Sequence, residues 1–319
     1  MTWLLTGGAG YIGAHVLRAL RAADMDVVVL DDLSTGVASR VPDNVPLVSV
    51  DLGDGDALSE LMKEHEITGV VHLAAKKAVG ESVERPLWYY RQNMDRVLTL
   101  VETMASAGVR NMVYSSSAAV YGMPAGHQVA EDESTAPLSP YGETKLIGEW
   151  VVRDVARVHG MSWTALRYFN VAGAGADDLG DTSAFNLIPL VLRAVSSGER
   201  PKIFGDDYET PDGTCVRDYI HVADLAEAHV TAAVATQGAE PIGRAYNVGR
   251  GVGASVREVI DVAAEVIGRD LNPEVVARRP GDPAYLVATA DRIRDELGWS
   301  ATRDLTDMVA SAWSAWQST

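Results

Sequence analysis

A tyrosine and a lysine stand four residues apart in the stretch 141–145 (YGETK), which follows a proline-bearing turn and opens an amphipathic run. Side chains at this spacing share one face of a helix, so the ammonium of Lys145 can act on the phenol of Tyr141. A free tyrosine titrates near ~10, and base catalysis near neutrality requires that pKa to fall by roughly 3. The pair predicts a proton-transfer site, although such pairs also occur by chance on helix surfaces. The surrounding elements decide between these alternatives.

The chain opens with an apolar strand pattern at residues 2–6, a glycine-rich turn at residues 7–13 (GGAGYIG) and then a helical pattern. Strand, glycine turn and helix is the order that a dinucleotide site requires. We expect Gly7 to make the tight turn, Gly10 to let the backbone approach a diphosphate, and Gly13 to let the helix pack on the strand. The N-terminus of the helix would then face the phosphates.

The next strand pattern, residues 27–30, ends at Asp31 and Asp32, roughly 20 residues beyond the glycine turn. A carboxylate at this position would bond ribose hydroxyls and repel a 2'-phosphate, which favours NAD over NADP as cofactor. The alternative is a simple turn before residues 34–36. An oxidised nicotinamide would add positive charge beside Tyr141 and help to ionise it.

Strand patterns at residues 47–50, 70–73 and 112–114 alternate with helical patterns at 57–65 and 87–107. This alternation predicts an α/β fold with a doubly wound parallel Rossmann sheet. Binding sites in such sheets lie beyond the C-terminal ends of the strands.

Three consecutive serines follow the strand pattern at 112–114. We therefore expect them beside the cofactor, at the C-terminal edge of the sheet. The alternative is a hydroxyl-rich loop whose side chains satisfy backbone groups, and we expect that loop role for Ser115 and Ser116.

After a strand pattern at 163–168, shorter strands mingle with helices. We therefore expect a cofactor-binding Rossmann domain over residues 1–168 and a smaller α+β substrate-binding domain over residues 169–319, with segments near 215–250 crossing back onto the first. A capping box at 255–258 (SVRE) predicts the start of one helix in the second half.

The composition narrows the classes of partner. The net charge of -17, from 27 basic and 44 acidic residues, argues against nucleic acid and against anionic membranes as partners. The single cysteine, Cys215, permits no internal disulfide and no cysteine cluster for a metal, so we expect no metal site. The apolar start lacks the basic flank of a signal peptide, and we expect a cytoplasmic protein.

Eight blocks spread over nearly the whole chain carry a family likeness. They are residues 6–13 (TGGAGYIG), 77–82 (KAVGES), 115–122 (SSSAAVYG), 139–145 (SPYGETK), 167–170 (RYFN), 216–222 (VRDYIHV), 246–249 (YNVG) and 278–282 (RRPGD). Together they resemble the UDP-galactose (UDP-glucose) 4-epimerases of the extended short-chain dehydrogenase/reductase family. The first and fourth blocks mark the superfamily only, whereas block 77–82 and the arginine-bearing blocks narrow the likeness to these epimerases.

The resemblance implies roles for individual residues. Tyr141 would be the base, Lys145 would bond the nicotinamide ribose, and Ser117 would hold the reacting sugar oxygen. The positions that match cofactor contacts are Gly7, Gly10, Tyr11, Ile12, Gly13, Asp31, Asp32, Asp51, Leu52, Ala74, Lys77, Tyr141, Lys145 and Tyr168. The positions that match the nucleotide-sugar site are Lys77, Ser117, Tyr141, Asn170, Asn186, Leu187, Phe204, Arg217, Arg279, Asp282 and Leu286.

The resemblance also implies a reaction. Tyr141 would take the proton of the sugar 4-hydroxyl while the C4 hydride passes to NAD. The resulting 4-ketopyranose would rotate about the diphosphate linkage, and hydride would then return to its opposite face while Tyr141 gives back the proton. NAD would stay tightly bound and be regenerated in each turnover. Family members pair through two long helices, which implies a homodimer here through residues 87–107 and 141–159.

Several alternatives stay open at this point. The substrate could be another nucleotide sugar, such as a UDP-N-acetylhexosamine or a UDP-pentose, and Leu286 is the expected gate of the sugar pocket. A nucleotide-sugar dehydratase would need an acidic residue beside the serine, where this chain has Ala118 and Ala119. A hydroxyl often found at position 119 in the family is also missing, and we expect a modest loss of hydrogen bonding. A non-catalytic NAD-sensing protein would typically lack the Tyr141 and Lys145 pair.

Overall fold

The structure is a computed structural model that describes residues 1–183, 186–279 and 281–318. Pro280, which belongs to the block RRPGD, lies outside the described residues. The elements up to the long central helix are β1 (Thr2–Thr6), α1 (Tyr11–Ala22), β2 (Asp26–Leu30), β3 (Leu47–Val48), α2 (Gly55–Glu64), β4 (Ile67–His72), α3 (Val79–Glu84), α4 (Pro86–Tyr90), a π-helical turn (Arg91–Asp95), α5 (Arg96–Ala107), β5 (Asn111–Ser117), β6 (Gln128–Val129) and α6 (Pro140–His159).

The remaining elements are β7 (Ser162–Tyr168), β8 (Asn170–Ala172), α7 (Leu187–Ser196), β9 (Lys202–Phe204), β10 (Val216–His221), α8 (Val222–Thr236), β11 (Gly243–Val248), β12 (Gly253–Ser255), α9 (Val256–Ile267), β13 (Glu274–Val276), β14 (Tyr285–Ala288), α10 (Asp291–Leu297) and α11 (Leu305–Gln317). The chain divides into two compact units. The first comprises Met1–Val120, Thr135–Arg167 and Ala226–Tyr246, and the second comprises Tyr121–Ser134, Tyr168–Leu225 and Asn247–Thr319. Within the described ranges, every helix is too short or too polar to span a bilayer.

The first unit is built on a seven-stranded sheet of order β11-β7-β5-β4-β1-β2-β3. The pairings from β3 through β2, β1 and β4 to β5 are parallel, with Leu4 beside Val28 on one side and Val70 on the other. These apolar strand residues are buried in one cluster with residues of α2, α5 and α6. The order reverses between β1 and β4, which confirms the predicted doubly wound sheet and locates its binding edge at the strand C-termini.

The three serines are placed differently from the expectation of a loop after the strand. They are the last three residues of β5, and Ser115 and Ser116 are buried. A predicted loop role for Ser115 and Ser116 is therefore wrong: both hydroxyls bond side chains of α6 instead of loop backbone.

The pattern at 87–107 is helical throughout, but it is not a regular α-helix over its whole length. A π-helical turn at Arg91–Asp95 separates α4 from α5. Such turns insert an extra residue and frequently occur at functional sites. Here Asn93 is buried. Its amide oxygen accepts a hydrogen bond from the backbone N–H of Lys76, and its amide nitrogen donates to the carbonyl oxygen of Lys76 and to the hydroxyl of Thr144. The turn thus ties α5 to the loop after β4 and to α6.

The second unit contains a five-stranded sheet in which β10 pairs with β12, β14 and β8, and β14 pairs with β6. The β10–β12 pairing is antiparallel and the others are parallel. Helices α7, α9 and α11 pack with the sheet residue Tyr219 in one buried cluster. The predicted capping box is present: the hydroxyl of Ser255 accepts from the backbone of Glu258, whose carboxylate accepts from the backbone of Ser255. This unit thus combines a short-stranded sheet with helices α7, α9 and α11.

Candidate active site

The glycine turn between β1 and α1 leaves no room for side chains. Gly7 has φ +74°, and a Cβ there would lie 2.8 Å from the backbone nitrogen of Ala74. A Cβ on Gly13 would lie 2.0 Å from the carbonyl oxygen of Gly7, so the third glycine allows α1 to pack against the turn. Gly10 is the N-cap of α1, where no side chain caps the helix. The amide groups of this first turn are a suitable anion site.

Asp31 follows β2 and is buried, with one carboxylate oxygen accepting from Ala9 N at 3.0 Å and the other from Leu33 N at 2.9 Å. Burial raises the pKa of Asp31 and these two backbone bonds lower it. Asp32 is exposed and accepts from the backbone and hydroxyl of Ser34. The two neighbouring carboxylates therefore have different structural roles. Asp31 stabilises the glycine turn, whereas Asp32 stabilises the loop that follows β2.

The other predicted cofactor positions are more dispersed. Asp51 is exposed, accepts from Gly53 N at 2.8 Å and forms an ion pair with Arg96 at 2.7 Å. The side chain of Leu52 is buried in the apolar core, so only its backbone is available to a ligand. Ala74 lies against Gly7, and Lys77 is exposed in the loop that follows β4.

Together these residues fit a dinucleotide. The glycine turn forms a cradle that any Cβ would fill, the N-terminus of α1 is open to a diphosphate, and a carboxylate stands at the end of β2. Gly10 supplies the uncapped helix end. Tyr11 and Ile12, also predicted at the cofactor, are the first residues of α1.

Tyr141 and Lys145 lie on the buried face of α6. The helix begins with Ser139 as N-cap, whose hydroxyl accepts from Gly142 N at 3.2 Å, and with Pro140 in its first turn. The Lys145 ammonium donates to the carbonyl oxygen of Ser115 at 2.8 Å and to its hydroxyl at 3.0 Å. It lies 6.0 Å from the centre of the Tyr141 ring. The end of β5 thus fixes the lysine beside the phenol.

Gly142 explains how α6 approaches the end of β5 so closely. A Cβ at this position would lie 2.7 Å from the carbonyl oxygen of Ala119. Ser117 accepts from Ala119 N at 3.2 Å and hydrogen-bonds the hydroxyl of Tyr141. Ser117, Tyr141 and Lys145 therefore form one connected group where α6 packs against the end of β5. The side chain of Ala119 offers no hydroxyl to this group.

The protein's own groups do not lower the pKa of the phenol. Burial raises the pKa of Tyr141, and the hydrogen bond with Ser117 opposes that rise. Burial lowers the pKa of Lys145 to about 7, while the carboxylate of Glu149 opposes the fall. Burial therefore outweighs the neighbouring groups in setting the pKa of Tyr141, and a further positive charge beside the ring would help to ionise the phenol near neutrality.

Glu149 stands one helical turn beyond Lys145 and was not predicted. Its carboxylate binds Arg167 through two bonds, 2.9 Å from Nε and 2.6 Å from a terminal nitrogen, and it also accepts from Ser116. All three side chains are buried. The spacing of four residues after Lys145 was the available signal, but the partners on β5 and β7 are remote in sequence.

In the second unit, Arg217, Asp282 and Leu286 are close together. Arg217 donates to the carbonyl oxygen of Pro283 at 2.7 Å and lies 3.7 Å from the carboxylate of Asp282. Leu286 is the partner of Arg217 in the β10–β14 register, so both point to the same face of the sheet. Tyr285 points to the opposite face and stacks on His127 at 4.0 Å between ring centres.

A second arginine lies elsewhere in this unit, where the guanidinium of Arg279 covers the ring of Phe204 at 3.8 Å. Asn170 is exposed at the start of β8 and bonds Tyr219, whose pKa burial raises to about 12. The other predicted positions are Tyr168 at the end of β7, Asn186 as N-cap of α7, which donates to Asp181 at 3.2 Å, and Leu187 as the first residue of that helix.

Comparison with known proteins identifies the family. The family model described as the NAD dependent epimerase/dehydratase family matches residues 3–249. A UDP-glucose 4-epimerase of Azospirillum brasilense is 46% identical over 98% of this chain and 91% of its own length.

Two solved structures resemble the whole chain. A UDP-glucose-4-epimerase from Stenotrophomonas maltophila, with bound NAD and formylated UDP-arabinopyranose, has a TM-score of 0.95 at 39% identity, covering 99% of this chain and 98% of that one. The UDP-Glc/GlcNAc 4-epimerase from Campylobacter jejuni has a TM-score of 0.88 at 38% identity, covering 100% and 99%. With its glycine turn and its Tyr141 and Lys145 group in place, the chain belongs to the NAD dependent epimerase/dehydratase family.

Proposed function

We propose that this protein is an NAD-dependent UDP-glucose 4-epimerase that interconverts UDP-galactose and UDP-glucose. The observation that carries the proposal is the connected group of Ser117, Tyr141 and Lys145 at the C-terminal end of β5. The relatives that match over nearly the full length are named for this activity. We assign cofactor binding to the first unit and UDP-sugar binding to the second.

Proton transfer is the task of Tyr141. Ser117 hydrogen-bonds its hydroxyl, so the same serine can align the sugar 4-hydroxyl with the phenol. NAD, when bound, supplies the acceptor for the C4 hydride and a positive charge beside the ring in addition to that of Lys145. Tyr141 as phenolate takes the proton of the 4-hydroxyl, and it returns that proton to the 4-oxygen when hydride comes back to C4 from the opposite face of the 4-ketopyranose. The glucose and galactose configurations thereby interconvert without net oxidation.

Lys145 has two functions in this account. Its bonds to Ser115 hold it beside Tyr141, where its charge stabilises the phenolate. Burial brings its own pKa to about 7, so its charge is sensitive to the environment, and Glu149 acts to preserve it. By resemblance the same ammonium would also bond the nicotinamide ribose.

Arg217 and Arg279 are proposed to bind the two phosphates of the UDP-sugar. Guanidinium groups bind phosphate in a bidentate manner, and both arginines are held in place, one by Pro283 and Asp282 and the other on Phe204. Asn170, Asn186 and Leu187 complete the proposed sugar-nucleotide set.

The direct test of this function uses the pure protein without added NAD. UDP-galactose should be converted to UDP-glucose, because the cofactor is retained and regenerated. A dehydratase would instead release water and form a stable keto sugar, and a non-catalytic NAD-binding protein would leave the substrate unchanged. Either of these results would overturn the proposal.

The size of the Leu286 side chain bears on which UDP-sugars the protein accepts. Its side chain shares a face with Arg217, as expected for a residue that lines the sugar pocket. Leucine is smaller than tyrosine and larger than alanine, so we propose that N-acetylated UDP-hexosamines are turned over more slowly than UDP-glucose and UDP-galactose. A structural relative named for both UDP-Glc and GlcNAc supports this breadth. Turnover rates measured with UDP-galactose, UDP-N-acetylgalactosamine and a UDP-pentose would determine the range of substrates.

We also propose a homodimer. Large apolar side chains are exposed along α4, α5 and α6: Leu87 at 75%, Leu98 at 48%, Trp150 at 47% and Val158 at 74%. Exposed apolar surface on neighbouring helices favours a partner with the same surface about a two-fold axis. Sedimentation that shows only monomer at micromolar concentration would contradict the dimer. Location in the cytoplasm stays a prediction from the sequence.

A further inference from the structure

The loops that follow β2 and β4 stand on either side of the glycine turn. In the sheet, β1 lies between β2 and β4, and all three strands are parallel. Their C-terminal loops therefore emerge at one edge, with the turn after β1 in the middle. Two strand spacings of about 4.8 Å place the outer loops roughly 10 Å apart. A long side chain can cross this distance over the turn.

Lys76 makes this crossing. Its ammonium donates to the hydroxyl of Ser34 at 2.8 Å, and that hydroxyl donates to Asp32 at 2.7 Å. Ser34 lies in the loop after β2, whereas Lys76 lies in the loop after β4. The contact is thus a side-chain bridge across the C-terminal end of β1.

Two hydrogen bonds with one buried side chain hold the backbone of Lys76 in place. Its N–H donates to the side chain of Asn93 at 2.9 Å and its carbonyl oxygen accepts from the same side chain at 3.1 Å. Asn93 is buried and also bonds Thr144 at 3.0 Å. The ring of Trp88 lies 5.9 Å from the lysine ammonium. The π-helical turn therefore aims this lysine across the cradle.

The charge of Lys76 suits a diphosphate. Asp31 and Asp32 are both close enough to Lys76 for its charge to favour their ionised forms. Without the lysine, the edge of the cradle would present two carboxylates to an anionic cofactor, which is unfavourable. With it, a cation lies at the same edge of the sheet as the N-terminus of α1, where a diphosphate would bind.

We propose that Lys76 and Ser34 form a strap across the diphosphate of bound NAD and slow its release. This inference rests on NAD as the cofactor but not on epimerisation. The strap provides a physical reason for a cofactor that stays bound from one turnover to the next. Lys77, the next residue, is exposed and is a predicted position of both the cofactor site and the sugar-nucleotide site, whereas Lys76 is a predicted position of neither.

The test measures the rate at which labelled NAD leaves the protein when unlabelled NAD is in excess. Lys76→Met should raise that rate on the order of tenfold, as expected for loss of a charged hydrogen bond. Ser34→Ala, which keeps the charge and removes the bridge, should raise it about threefold. Lys63→Met is the matched control, because Lys63 is exposed near the C-terminus of α2, at the opposite edge of the sheet.

Release from either Lys76→Met or Ser34→Ala at the rate of Lys63→Met would overturn the strap. Thermal unfolding of each variant verifies that the fold is unchanged. The release assay needs no UDP-sugar, so its outcome is independent of the activity test. A protein that epimerises UDP-galactose but releases NAD equally from all variants keeps its proposed function and loses only the strap.

Discussion

At the scale of single residues, the proposed mechanism gives Tyr141 and Lys145 different roles in proton transfer. The phenol would exchange the proton, and the ammonium would stabilise its ionised form. Both are buried, and burial opposes the charged form of each. The pair is therefore tuned by its neighbours, with Ser117 on the tyrosine and Glu149 near the lysine.

Replacing the base gives the first prediction. Tyr141→Phe should lower the turnover of UDP-galactose by about 10² to 10⁴, since proton transfer by a positioned group contributes this much. NAD should remain bound, because the glycine turn and Asp31 are untouched. Turnover and NAD content per chain are the two measurements. Near-normal turnover would remove Tyr141 from its role.

Leu286 gives a prediction on specificity. Leu286→Tyr should abolish turnover of UDP-N-acetylgalactosamine and spare UDP-galactose, because a larger side chain competes with the N-acetyl group for space and overpacking costs about 1–3 kcal/mol. Tyr285→Phe is the control, since its ring stacks on His127 at the opposite face. If the wild type shows no N-acetyl activity, or Leu286→Tyr leaves it unchanged, Leu286 is not the gate.

At the scale of elements, the glycine turn couples the sheet to α1. A Cβ on Gly13 would meet the carbonyl oxygen of Gly7 at 2.0 Å, so Gly13→Ala must displace either the helix or the turn. We expect loss of bound NAD and a lower Tm. Gly80→Ala is the matched control, because a Cβ on Gly80 would meet nothing within 4 Å. Equal NAD content in both variants would show that the close packing at Gly13 is not required.

The strands and helices of the first unit were predictable because their apolar periodicity is local. The serine strand and the π-helical turn were not, since each depends on partners far along the chain: Ser116 on Glu149, and Asn93 on Lys76 and Thr144. The chemistry of Tyr141, Lys145 and Ser117 was predicted from motifs. The supporting contacts of Glu149 with Arg167, and of Lys76 with Ser34, need the folded chain because nothing in their spacing pairs them.

At the scale of the whole molecule, buried histidines make stability depend on pH. Burial lowers the pKa of His72 to about 3 and that of His221 to about 4, so both are neutral in the folded chain. Histidines in the unfolded chain titrate near ~6.5. Between about pH 4 and 6.5 the unfolded chain binds more protons, and the free energy of unfolding falls as the pH falls.

The expected slope is about 1.4 kcal/mol per pH unit for each histidine below pH ~6.5. The Tm measured at pH 7, 6 and 5 should decrease, and His221→Gln should show a shallower decrease than the wild type. His159→Gln, at an exposed position, should behave as the wild type. A decrease that is the same in all three proteins would rule out His221 as a source of the acid sensitivity.

In the proposed reaction, the hydrogen at C4 leaves as hydride to a retained cofactor and returns to the same sugar. UDP-galactose carrying deuterium at C4 tests this directly, when incubated with the pure protein without added NAD. The product UDP-glucose should retain the deuterium at C4, because the hydride held by the cofactor does not exchange with water. Loss of deuterium to the solvent, or absence of UDP-glucose, would contradict the account.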